Sequence, residues 1–185
     1  MKELSLNVLD IAENSVKARA TLIRILLEET EETLTLTVAD NGCGMKKESL
    51  RGVVDPFYTT RTTRKVGMGI PLLKMAAEQT GGTLAISSRH ESDYPDSHGT
   101  EVVARFYKQH IDFTPLGDIV STVTTLIQGS PEIDFEFRHE FGSGCAELDT
   151  RRMREILGAE IPLNDPEILR WIAQYLADQY LNYKQ

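Results

Sequence analysis

Thr33-Leu34-Thr35-Leu36-Thr37-Val38-Ala39-Asp40-Asn41-Gly42-Cys43-Gly44 is the stretch on which the fold turns. Its first six residues alternate strictly between polar and apolar, the pattern of a strand with one buried face. The alternation runs into Asp40-x-Gly42-x-Gly44, a sharp loop. Glycines there permit positive φ and let backbone amides approach a ligand closely. A carboxylate beside them can accept from an exocyclic amino group, which is how an adenine is read. Asp-Asn-Gly is also ordinary turn chemistry, so the loop alone decides nothing.

Outward from this stretch the pattern stays regular. Residues 21–27 form a second strand-like run, joined to the first by the polar residues 28–32, which predicts an antiparallel hairpin. Before it, residues 3–18 read as a helix, with Leu4, Val8, Ile11 and Ala12 on one face. After it come a short helix over 47–53, an irregular Thr- and Arg-rich stretch over 55–66, and a helix over 69–79. Gly81-Gly82 stops that helix as a C-terminal cap would. Strands over 83–88 and 100–107 flank the polar loop 89–99. Helices on a mostly antiparallel sheet, an α+β two-layer sandwich, are the packing this order predicts for residues 1–108.

From His110 a second pattern begins. It reads as a helix over 116–127, a strand over 133–140, a turn at Phe141-Gly142-Ser143-Gly144, a strand over 145–148 and a helix over 151–157 ending at Gly158. A last helix starts at an Asn164 or Asp165 cap with Pro166 in its first turn and runs to about Tyr183. Its Ile168, Leu169, Ile172, Tyr175, Leu176 and Leu181 make one apolar face. The expectation is a small acidic α+β module over 109–185, its last helix packed on a sheet of its own. A partner-binding or dimerisation helix is the alternative.

Composition separates the same two segments. Residues 1–108 carry 14 Lys/Arg against 15 Asp/Glu, whereas residues 109–185 carry 6 against 13, so nearly all of the net charge of −8 is C-terminal. That excess argues against nucleic acid or an anionic membrane as a partner. With 41% hydrophobic and 26% charged residues among 185, the chain is an ordinary globular one, not collagen, a disulfide scaffold or a disordered segment. No apolar run approaches the ~18 residues of a membrane span. Met-Lys-Glu-Leu-Ser lacks the layout of a secretory signal, and two cysteines, Cys43 and Cys145, suit a reducing compartment. A cytoplasmic protein is expected. No His–Cys spacing suggests zinc.

Three further signals accompany the glycine loop. Gly67-Met68-Gly69 opens a helix after a basic stretch, and amides at a helix N-terminus favour phosphate. His98-Gly99-Thr100-Glu101 opens a strand, as any tight turn could. Asn14 lies on the first helix with Asp10 one turn before and Lys17 one turn after, so the three share a face. A solvated polar face is the plain alternative.

In this order the signals resemble the Bergerat-fold ATPases, the superfamily of gyrase, Hsp90, MutL and the bacterial histidine kinases, over about residues 3–107. Asn14 in Leu9-Asp10-Ile11-Ala12-Glu13-Asn14-Ser15 is similar to the N-box asparagine, and Asp40 to Met45 resembles the G1 box. Asp55-Pro56-Phe57-Tyr58-Thr59-Thr60-Arg61 is similar to the F-box that begins the ATP lid of histidine kinases. Gly67-Met68-Gly69-Ile70 resembles the G2 box, and Gly99-Thr100 the last turn.

The resemblance implies ATP and Mg²⁺ as cofactors. Asn14 would ligate the metal, and Asp40, supported by Thr100, would accept from the adenine amino group. Gly42 and Gly44, with Met45 after them, would let the base lie against backbone. Gly67 and Gly69 would present amides to phosphate, with Met68 in the return of the lid. Lys17 stands where kinases have a phosphate-contacting lysine, and Thr60 and Arg61 where the lid has its contacts, residues 54–66 being a lid ordered by the γ-phosphate. Asp10 takes the place of a catalytic glutamate in gyrase-like members, one methylene shorter, and would act as base through water.

The implied activity is that of an ATPase or protein kinase in bacterial regulation. Anti-sigma-factor kinases, stand-alone relatives, phosphorylate a serine on a partner. The alternative is a non-catalytic nucleotide-gated switch that binds a partner protein through lid movement or the C-terminal module. A phosphorylation substrate or a second copy of the chain would be the partner. Histidine kinases place a dimerising hairpin with an acceptor histidine upstream, and no such hairpin is expected here. His139 in Arg138-His139-Glu140-Phe141 echoes an acceptor motif but falls in a strand-like run.

Overall fold

The strand patterns close into one sheet. The computed structural model describes residues 3–54, 68–158 and 160–182. Its elements are α1 (Leu4–Lys17), β1 (Leu22–Glu29), β2 (Thr33–Asp40), α2 (Lys47–Val54), α3 (Gly69–Gln79), β3 (Thr83–Arg89), β4 (Gly99–Tyr107), α4 (Ile119–Gly129), β5 (Asp134–Phe141), β6 (Gly144–Asp149), α5 (Thr150–Leu157) and α6 (Pro166–Asn182). The six strands lie in the order β3-β4-β2-β1-β5-β6. Every pairing is antiparallel except that of β1 with β5. This is the expected mixed α+β fold, a sheet covered by helices.

Period-2 alternation decides which side chains reach the core. Leu34, Leu36 and Val38 of β2 are buried together with Ile23, Ile25 and Leu27 of β1 and Val102, Ala104 and Phe106 of β4. Against them pack Leu4, Val8, Ile11 and Ala12 of α1, the stripe read from the sequence, and Leu73 and Ala77 of α3.

The C-terminal segment corrects one expectation. Its strands do not form a sheet of their own: β5 pairs with β1 along eight register positions, from Leu22 opposite Asp134 to Glu29 opposite Phe141. The hairpin with β2 uses one edge of β1, and the buried alternation of β1 leaves a second edge that must be covered. A parallel partner needs a long crossover; the chain between β4 and β5 supplies it through α4, whose Val123, Leu126 and Ile127 join the same core.

One helix boundary and one apolar stripe differ from the sequence reading. The helix expected from residue 116 begins at Ile119, because the carbonyls of Pro115 and Leu116 accept from the Leu4 and Ser5 amides (2.9 and 2.8 Å), closing the first turn of α1. On α6, Leu169, Ile172 and Leu176 are buried, but Tyr175 and Leu181 are exposed. The stripe is narrower than read. Tyr180 turns inward instead, its hydroxyl 2.8 Å from His139 Nδ1.

Among the described residues no helix is long and apolar enough to cross a membrane, and no cluster of three or more His, Cys, Asp or Glu side chains could hold a metal by itself.

Candidate functional site

The site gathers where β2 ends. Asp40 closes the strand opposite Thr100 of β4, and Thr100 stands opposite Ser88 of β3. The Asp40 carboxylate accepts three bonds. Oδ1 takes the Gly42 amide at 2.9 Å and the Thr100 amide at 3.3 Å, and Oδ2 takes the Ser15 hydroxyl at 2.6 Å. Three donors from three elements hold one half-buried carboxylate in a single orientation. Beside it, Ser88 Oγ is within bonding distance of the Met45 amide (2.8 Å), the Gly99 carbonyl (3.1 Å) and Thr100 Oγ1 (2.8 Å). Thr100 therefore supports Asp40 through its backbone, while its hydroxyl is tied to Ser88.

The glycine loop is clasped on both sides. The Cys43 amide donates to the Ala18 carbonyl at 2.8 Å, and the Cys43 carbonyl accepts from Glu91 at 2.9 Å. A Cβ at Gly42 would lie 2.7 Å from the Ala18 oxygen, and one at Gly44, where φ is +65°, 1.9 Å from the Arg89 oxygen. Here the glycines admit chain against chain. Asn41 is structural: its Oδ1 accepts from the Thr21 and Leu22 amides, both at 2.9 Å, and anchors the start of β1.

Helix α1 supplies the second half of the site. Asp10 and Asn14, at i and i+4, share a face and are half-buried. Gly69, the first residue of α3, packs on Asp10; a Cβ there would lie 3.0 Å from Asp10 Cβ and 3.6 Å from its Oδ2. The Asp10 carboxyl thus stands at the amide-bearing end of α3. Ser15, one residue past Asn14, turns toward the sheet to meet Asp40. Lys17 is not drawn in: it is exposed and 3.6 Å from Glu13 Oε2. Met68, also exposed, precedes α3. Thr60, Arg61, Gly67 and the expected lid from residue 55 onward lie outside the described residues, and Val54 ends α2.

Ser15, Ser88 and His98 were not singled out by sequence reasoning as site residues. Two carried a legible signal. Ser15 is a polar residue on the buried stripe of α1, and Ser88 stands where the alternation of β3 points inward after Leu84 and Ile86. His98, whose Nδ1 lies 2.6 Å from the Gly42 carbonyl, stands in the quoted turn His98-Gly99-Thr100-Glu101, but nothing in that turn pointed to Gly42. His139 sits far from this site, in β5, buried between Tyr180 and Glu29 Oε2 (3.2 Å). Burial holds its pKa below the ordinary imidazole value, against the pull of Glu29.

The arrangement suits an amino-bearing base at Asp40 and an anion near Asp10, Asn14 and the start of α3. The amide oxygen of Asn14 is a hard oxygen donor, the kind Mg²⁺ takes alongside phosphate and water.

The profile of the histidine kinase-, DNA gyrase B- and HSP90-like ATPases matches residues 2–110. The chain is 30% identical over 102 residues to the sensor histidine kinase YvrG of Bacillus subtilis, covering 52% of this chain and 17% of that protein. It is 32% identical over 97 residues to the tetrathionate sensor histidine kinase TtrS of Salmonella typhimurium, covering 52% and 16%. The chain thus spans less than a fifth of the length of these relatives. Among solved structures it resembles the Aquifex aeolicus MutL ATPase domain complexed with ADP, at a TM-score of 0.55 and 17% identity, over 85% of this chain and 69% of that one. The N-terminal domain of a DNA repair protein gives 0.56 and 18%, over 86% and 58%. These two likenesses concern the fold, and they reach past residue 110 into the acidic segment.

Proposed function

The chain belongs to the histidine kinase-, DNA gyrase B- and HSP90-like ATPases, and from that membership we propose that it binds ATP with Mg²⁺ and turns it over as a slow ATPase or protein kinase. One observation carries the reading. The Asp40 carboxylate is held by Ser15, Gly42 and Thr100, while Asp10 stands against Gly69 at the head of α3. A carboxylate fixed before any base arrives loses little freedom on accepting from an amino group, so recognition is preorganised. The metal, when bound, neutralises and orients the triphosphate. Asn14 would hold it, and the Gly69 end of α3 would face the phosphates. Asp10 would take the proton of an attacking water or hydroxyl, through an intervening water because its side chain is short. The reading is of a cytoplasmic protein, in which Cys43 and Cys145 stay free thiols.

A second reading has its own support. α1, which carries Asp10, Asn14 and Ser15, is tied at its first turn to Pro115 and Leu116, and the Thr122 hydroxyl donates to the Ser5 carbonyl at 3.3 Å. A nucleotide that moves α1 would move the acidic segment, which is the layout of a switch acting on a partner protein. Incubation with labelled ATP, alone and with cell extract, separates the readings. Free phosphate or a labelled protein supports turnover. Tight binding without either supports the switch, and no binding to Mg-ATP overturns both.

A further inference from the structure

His98 is the histidine that touches the glycine loop. The others are engaged elsewhere, His90 with Ser92, His110 with Asp112 and His139 with Tyr180 and Glu29. His98 Nδ1 lies 2.6 Å from the Gly42 carbonyl oxygen. A carbonyl only accepts, so Nδ1 carries the hydrogen and donates. The amide of the same residue, Gly42, donates to Asp40 Oδ1. One glycine therefore links the imidazole on one side to the recognition carboxylate on the other.

The two residues after His98 grip the same turn. Gly99, at φ +140°, packs so closely that a Cβ would lie 2.0 Å from the Asp40 carbonyl oxygen, and the Thr100 amide donates to Asp40 Oδ1. The regular pairing of β2 with β4 ends at Asp40 opposite Thr100. Beyond that point the turn depends on side chains and loop contacts. At the Gly42 carbonyl, among the described residues, that contact is His98. A turn free to rotate there would swing the Gly42 amide off Oδ1 and leave the carboxylate with fewer constraints.

We propose that His98 is a positioning residue for base recognition: by donating from Nδ1 to the Gly42 carbonyl it holds the 40–42 turn so that Asp40 presents its carboxylate to an amino group. The proposal rests on the nucleotide reading of the site. It deepens that reading by giving the loop before β4 a part in selectivity for an amino-bearing purine.

The test compares ATP with purine riboside triphosphate, which lacks the 6-amino group, by calorimetry on the full chain with Mg²⁺. Wild type should prefer ATP. In His98→Leu that preference should fall about tenfold, the scale of one misaligned bond to a charged acceptor. Affinity for the analogue should hold. His98→Asn places an amide N–H near the position of Nδ1 and should restore the preference. His98→Gln, whose N–H stands one bond further out, should not; it also serves if His98→Leu does not fold. A preference unchanged in His98→Leu or His98→Gln overturns the proposal. So does an equal loss for both nucleotides, which would mark a merely structural histidine, or a failure of asparagine to rescue. A wild type that binds neither nucleotide instead overturns the reading of the site.

Discussion

Asp40 and Asp10 are both half-buried carboxylates, and their neighbours give them different work. Asp40 accepts from three donors. In Asp40→Asn the Ser15 hydroxyl and two amides must share a side chain that is half donor. The variant should bind Mg-ATP about ten- to over a hundredfold more weakly, or about 1.5–3 kcal/mol, the range for a bond to a charged group. Calorimetry with unchanged affinity would remove Asp40 from base recognition. Asp10 instead meets Gly69. Asp10→Asn should keep nucleotide affinity and lower phosphate release about 10²–10⁴-fold, the span of general acid–base catalysis; equal rates in the two proteins would strip Asp10 of the base role. Both carboxylates were legible from their spacing to glycines and to Asn14. The partners of Ser15 and His98 were not, because what matters at those positions is which main-chain or carboxylate atom stands opposite, and spacing along the chain does not report that.

Elements obeyed their local signals except where a distant segment claimed the same backbone atoms. Leu116 continues the apolar pattern of α4, yet its carbonyl and that of Pro115 serve the first turn of α1, and the helix waits for Asp118. Asp118 Oδ1 accepts the Ser121 amide at 2.9 Å and Oδ2 the Ser121 hydroxyl at 2.6 Å, and these bonds hold its carboxyl below the usual range. Asp118→Ala should cost about 1 kcal/mol at neutral pH, as cap deletions do. A carboxyl with a lowered folded pKa stabilises above its unfolded value of about 3.9 and stops doing so as pH falls through the folded one. The gap between wild type and Asp118→Ala in urea midpoint should therefore be full at pH 7 and shrink near pH 3. A gap constant from pH 7 to 3 would show that the bonded carboxylate is not what caps α4.

Across the whole molecule, the family match ends at residue 110 but the core does not. Phe135 and Phe137 of β5 and Val123, Leu126 and Ile127 of α4 belong to the core that holds Ile25 and Ile11. A fragment ending at residue 110 would uncover the β1 edge and the α4-facing side of α1, and should aggregate or melt without cooperativity in circular dichroism. A soluble fragment with a sharp transition would show that the acidic segment is dispensable to the fold. The same segment sets a pH dependence. His139 is buried against Tyr180, Glu29 and, through Glu29, Lys108, and burial lowers its pKa. The unfolded chain then takes up that proton first, so stability should fall as pH drops below about 6.5. His139→Gln should flatten that slope between pH 6.5 and 5 in urea titrations, and an unchanged slope would assign it to other groups. The sequence by itself determined the strands, the helices and the glycine-and-carboxylate order of the site, because hydrophobic period, caps and turn residues act within a few positions. Only the tertiary structure decided that β5 runs parallel beside β1, that His139 is buried with α6, and that His98 reaches Gly42. Those pairings join residues tens to more than a hundred positions apart, and their choice depends on which edge, face or carbonyl the rest of the fold leaves open.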